Sequence, residues 1–102
     1  MDLMFDHESL EKLCRERGVA KLELFGSALR NDFRPDSDVD LLCTLRPDVR
    51  CTLLGWADLQ LRLQEIFGRP VDLVSRWAIE RSGNAYRRNA ILSRVLPLYV
   101  ER

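Results

Sequence analysis

Two aspartates one residue apart, Asp38 and Asp40, open the apolar run that ends at Leu45, and a third, Asp72, lies within Val71-Asp72-Leu73-Val74. Side chains alternate between the two faces of a strand, so Asp38 and Asp40 share one face, with Val39 and Leu41 behind them. Two carboxylates this close repel each other and are costly to bury unpaired, and a cation between them resolves both difficulties. Oxygen donors with no histidine or thiolate beside them favour magnesium or manganese over zinc. If a neighbouring strand brings Asp72 to the pair, the three carboxylates suit a two-metal phosphoryl-transfer site.

The segment Phe25-Gly26-Ser27 complements this set. A glycine permits close approach of the backbone, amides at the start of a helical turn bind phosphate, and Ser27 adds a hydroxyl donor. Arg30, one turn further on, either neutralises phosphate charge or pairs at the surface with Asp32 or Asp36. Taken singly, aspartates at a loop-to-strand junction are commonly turn formers or caps. It is their combination with Gly26-Ser27 that points to chemistry.

The elements that must position these residues follow from local pattern. Asp6 can cap a first helix, with Phe5 and Leu10 placed as a hydrophobic staple, and Leu10, Leu13 and Cys14 form its inner face. Gly18 supplies the stop. Val19 to Phe25 then reads as a strand with one buried face, Leu22 and Leu24 alternating with Lys21 and Glu23. Ser27 to Arg30 reads as a short helical turn, and residues 31–37 as a mostly polar loop. Asp38 to Leu45 is a second, interior strand. Leu53, Trp56, Leu59, Leu63 and Ile66 recur at helical spacing between Thr52 and Phe67, and Gly68 with Pro70 closes that helix. Val71 to Val74 gives a third strand, Asn84 to Val95 a last helix, and Leu96 to Val100 an edge strand. This order specifies an α/β (α+β) fold, a small mixed sheet flanked by helices, and one domain over residues 1–102.

Composition bounds the function. The chain has 102 residues, 46% hydrophobic and 31% charged, which supports one packed core. Sixteen basic residues balance sixteen acidic ones, so no global field favours nucleic acid or an anionic membrane. Six arginines from Arg76 to Arg102 face only Glu80 and Glu101, a basic stretch that suits a solvated face or a phosphate or partner surface. Three cysteines with no C-x-x-C pair argue against a disulfide framework and for a reducing cytoplasm. Met1 to Glu8 lacks the pattern of a signal peptide, and no apolar run approaches the roughly 20 residues of a membrane span. His7 is expected at the surface, Cys43 in the core, and Trp56 and Trp77 in the core or an interface, with Trp77 close enough to Asp72 for a nucleotide contact.

Phe25-Gly26-Ser27, a spacer from Ala28 to Ser37, then Asp38-Val39-Asp40-Leu41 resembles the signature of the nucleotidyltransferase superfamily related to DNA polymerase beta. The fuller string GSALRNDFRPDSDVDLL is similar to the minimal nucleotidyltransferases, small bacterial and archaeal proteins often encoded beside a HEPN-domain partner. The resemblance implies a nucleotidyltransferase fold and catalysis by Asp38, Asp40 and Asp72 with two magnesium or manganese ions held by the same three side chains. It implies that Gly26, Ser27 and Arg30 bind the triphosphate. It further implies transfer of a nucleoside monophosphate, AMP from ATP, to a hydroxyl of a HEPN-type toxin, this chain being the antitoxin. The larger relatives carry acceptor-binding domains, so the acceptor site is expected to lie on a partner. Two other readings are a binding module that neutralises its partner without catalysis, and nucleotidyl transfer to a small molecule or a nucleic-acid end. Zero net charge weighs against direct binding of nucleic acid.

Overall fold

The computed structural model describes residues 4–29 and 37–101, without the side chains of Ser27 and Ala28. Helix α1 (His7–Glu16) starts where expected: Asp6, in extended conformation, accepts from the Glu8 amide at 3.2 Å and the Ser9 hydroxyl at 2.7 Å. Phe5 packs on the core that holds Leu10, its ring 4.9 Å from that of Phe67. Beyond the helix, Gly18 takes a φ of +71°, which turns the chain into strand β1 (Val19–Phe25). A 3₁₀ turn, Gly26–Leu29, follows. Strand β2 (Val39–Leu45) leads to helix α2 (Leu53–Phe67), capped by the Thr52 hydroxyl 3.0 Å from the Gly55 amide and ended at Gly68. Strand β3 (Val71–Ser75) runs directly into α3 (Arg76–Glu80), and α4 (Ala85–Leu92) and β4 (Leu96–Val100) complete the order. The expected loop over residues 31–36 lies outside the described residues.

The sheet is mixed, in the order β3-β2-β1-β4. β1 is antiparallel to β2 and β4, whereas β2 and β3 are parallel and joined by the α2 crossover. Pro97 lies on the edge strand, where an absent N–H does no harm.

Both faces are covered. Leu22, Leu24, Val39, Leu41, Cys43, Val71 and Leu73 pack beneath α1 and α2 onto Leu10, Leu13, Leu59, Leu63 and Phe67. Each leucine buried in this way contributes about 2 kcal/mol relative to exposure. On the opposite face Phe25 and Leu42 meet Ile79 of α3, with Val74, Ile91, Leu92 and Val95 around them. The expectation of one buried face for β1 is thus overturned, because α3, absent from the sequence reading, folds over the second. Glu23 is only 1% exposed there. It accepts from Arg76 at the start of α3, and Lys21 Nζ stands 3.4 Å away. Arg76→Ala would strand this buried carboxylate with Lys21 alone, and we expect a loss of about 3 kcal/mol in a urea melt.

Three smaller expectations also change. Leu53 is 85% exposed, and Phe67 fills the inner face of α2 instead. Ala85 is exposed, and α4 is shorter than expected. Trp77 is 63% exposed and packs in no core, its ring lying under the Arg81 guanidinium at 4.3 Å.

Cys14 and Cys43 are buried core thiols and Cys51 is exposed. Burial pushes both buried thiols up to about 12, from an ordinary value of 9.0. The unfolded chain releases these protons first, so their contribution is intact below pH 9 and is lost as pH climbs towards 12. The thermal midpoint should fall across that window, less steeply for Cys43→Ala. In native protein a thiol reagent should label Cys51 well ahead of the other two.

Candidate active site

Strand β1 ends at Phe25, the register partner of Asp40. The next residue, Gly26, has φ +72°, a backbone conformation that side chains disfavour. Space is short as well: a Cβ built on Gly26 would lie 2.3 Å from Asp40 Oδ2 and 3.1 Å from its Cγ. Glycine here therefore serves both the turn and the carboxylate beside it, and the 3₁₀ turn begins against Asp40.

Asp40 and Asp72 are direct register partners across the parallel β2–β3 pair. Adjacent strands lie about 4.8 Å apart, so two in-register side chains leave the same face as neighbours. Val39, Leu41, Val71 and Leu73 belong to the core beneath α1 and α2, which puts Asp40 and Asp72 on the other face. Asp38 stands one residue before β2, exposed, and the Val39 amide donates to the Pro70 carbonyl at 2.9 Å, tying that segment to the start of β3. Asp40 is half-buried and Asp72 exposed. The site therefore lies at the end of the sheet where β1 finishes and β2 and β3 begin.

The carboxylates border this end without closing on one point. Among the described residues no three Asp, Glu, His or Cys side chains are grouped tightly enough to hold a metal ion as placed. Like charges repel and separate unless a cation draws them together. The donor set still fits a hard divalent cation, since Asp38, Asp40 and Asp72 offer only carboxylate oxygens and none of the described cysteines or histidines belongs to this end. The Gly26 notch, which a Cβ would fill, leaves Asp40 its position. The Ser27 hydroxyl and Arg30 lie outside the described residues. A concavity bounded by Glu11, Arg15, Arg46, Tyr99 and Glu101 lies across α1 and β4 and includes none of the three aspartates.

Two features of this region were not read from the sequence. One is the Glu23–Arg76 pair, which ties the start of α3 to β1. The other is a pair of glutamines on α2 bonded to β3. Neither has a local motif: Arg76 is 53 residues from Glu23, and nothing in a helical glutamine signals that it will accept from a strand amide 7 or 13 residues further on.

The profile of the nucleotidyltransferase domain family matches residues 7–97. The chain belongs to this family. A curated nucleotidyltransferase, protein adenylyltransferase MntA of Thermococcus cleftensis, is 35% identical over 71 residues, covering 69% of this chain and 70% of that protein. A solved structure described as a minimal nucleotidyltransferase is 33% identical and superposes with a TM-score of 0.66, covering 89% of this chain and 87% of the other. A chain from the complex of tri-AMPylated Shewanella oneidensis HEPN toxin with MNT antitoxin shares the fold at 19% identity, TM-score 0.59, over 92% of this chain and 69% of that one. The nucleotidyltransferase expected from Phe25-Gly26-Ser27 and Asp38-Val39-Asp40-Leu41 is therefore borne out in family and in fold.

Proposed function

We propose that this nucleotidyltransferase transfers AMP from ATP to a hydroxyl of a partner protein, a HEPN-type toxin, and so acts as its antitoxin. The observation that carries the reading is the in-register pair Asp40 and Asp72, with Gly26 turned against Asp40 at the same sheet end. The adenylyltransferase similarity supports AMP as the transferred group, and the AMPylated toxin complex supports a HEPN partner.

In the proposed reaction the acceptor oxygen attacks the α-phosphorus in line. A new oxygen–phosphorus bond forms, the bond to the β-phosphate bridging oxygen breaks, and pyrophosphate leaves. Asp72, the register partner of Asp40, would take the hydroxyl proton. Gly26 and Ser27 begin the turn whose amides would bind triphosphate oxygens, with Arg30 in the same role. Asp38, Asp40 and Asp72 would hold two magnesium or manganese ions, whose chemistry is neutralisation of the charge on the triphosphate and the leaving group. The chain itself chiefly positions the reactants.

The test is intact mass spectrometry of the chain with a cognate HEPN protein, ATP and magnesium, beside an Asp38→Ala, Asp40→Ala double variant. We expect the partner to gain one or more AMP units with wild type and none with the variant. An intact complex with no mass gain in either sample would sink the proposal and favour the silent binding module.

A further inference from the structure

β3 is an edge strand, and its outward backbone amides have no strand to pair with. Two are bonded instead to side chains of α2. The Val71 amide donates to Gln64 Oε1 at 3.2 Å and the Leu73 amide to Gln60 Oε1 at 3.3 Å. The match is geometric. Four helical residues rise about 6.0 Å, and two strand residues span about 6.6 Å. Gln60 and Gln64 thus meet alternate amides of β3 in antiparallel sense, in the manner of a neighbouring strand. The residue between the two bonded amides is Asp72.

We propose that Gln60 and Gln64 are positioning residues for Asp72. They fix the backbone on either side of it while the β2 ladder holds its other edge, and the carboxylate is thereby kept in line with Asp40. Val71 and Leu73 are buried beneath α2, so the two flanking side chains are anchored too, and Asp72 projects from a segment held on three sides. A leucine or methionine in place of either glutamine would fill similar space on α2 and leave one edge amide without its acceptor. This inference rests on the reading of Asp72 as a ligand of divalent metal.

The experiment compares Gln60→Met and Gln64→Met, singly and together, with Gln60→Glu and Gln64→Glu, which keep an acceptor oxygen, and with Asp72→Asn. Manganese affinity is read by electron paramagnetic resonance in the presence of a non-hydrolysable ATP analogue, and exchange of the Val71 and Leu73 amides by hydrogen–deuterium exchange. We expect the double methionine variant to weaken manganese binding about tenfold, the size typical of groups that orient a metal ligand. Exchange at both amides should rise, and the single glutamate variants should restore affinity. If the double variant does not fold, the two single methionine variants decide, each freeing its own amide and weakening affinity. Unchanged affinity in the methionine variants, with Asp72→Asn weakened, would overturn the positioning role alone. Unchanged affinity in Asp72→Asn would overturn the reading of Asp72, and this inference with it.

Discussion

Asp40→Asn is expected to slow nucleotidyl transfer about 1,000-fold while leaving the fold intact. Asparagine has almost the volume of aspartate, so the notch at Gly26 and the register with Phe25 and Asp72 are preserved. What disappears is one negative charge at the point where metal and triphosphate would meet. Charge stabilisation of this kind is worth several kcal/mol, and about 4 kcal/mol corresponds to the stated loss. Single-turnover AMP incorporation, paired with a thermal melt, checks both parts. Transfer within tenfold of wild type would remove Asp40 from the chemistry.

Gly26→Ala should be damaging in a different way, because it adds atoms rather than removing charge. Alanine at φ +72° costs about 1–2 kcal/mol in backbone strain. Its Cβ would also sit 2.3 Å from Asp40 Oδ2, closer than any tolerated contact, so the carboxylate must move. We expect a stability loss of about 2 kcal/mol in urea and a fall in transfer of about 100-fold, the scale associated with a displacement near 1 Å in a reacting group. A double variant separates the two effects. Asp40→Ala in the Gly26→Ala background should recover part of the stability, by relieving the clash, and none of the activity. Additive losses of stability would show that Gly26 and Asp40 do not meet.

Much of the fold was legible because its signals are local. Asp6 caps α1 as its side-chain chemistry predicts, and Thr52 and Asn84, read from the sequence only as the starts of their segments, cap α2 and α4. Alternation in Val19–Phe25 marked the first strand, the apolar run from Asp38 to Leu45 the second, and helical spacing marked α2. α3 escaped because five residues present barely more than one turn and no periodic pattern. Glu23 was read as a solvent-side residue for the same reason. Alternation tells which residues share a face, and it is silent on whether another element covers that face. Of the two places expected for Trp77, a core or an interface, the core is overturned, because α3 turns the ring outward, against Arg81.

The candidate site divides along the same line. By itself the sequence determined the residue types and the spacing Gly26-Ser27 to Asp38-Val39-Asp40. That spacing sets two carboxylates one residue apart at the start of a strand, although β2 itself begins at Val39 and leaves Asp38 just outside it, and places a flexible glycine before them. Only the tertiary structure decided that Asp72 stands in register with Asp40, that Gly26 fits against the Asp40 carboxylate, and that Gln60 and Gln64 hold the backbone beside Asp72. Those contacts join separate elements, even where the residues are as near in the chain as Gln64 and Val71. Their geometry is set by the parallel β2–α2–β3 crossover and by the packing of α2 on β3, which no local pattern encodes.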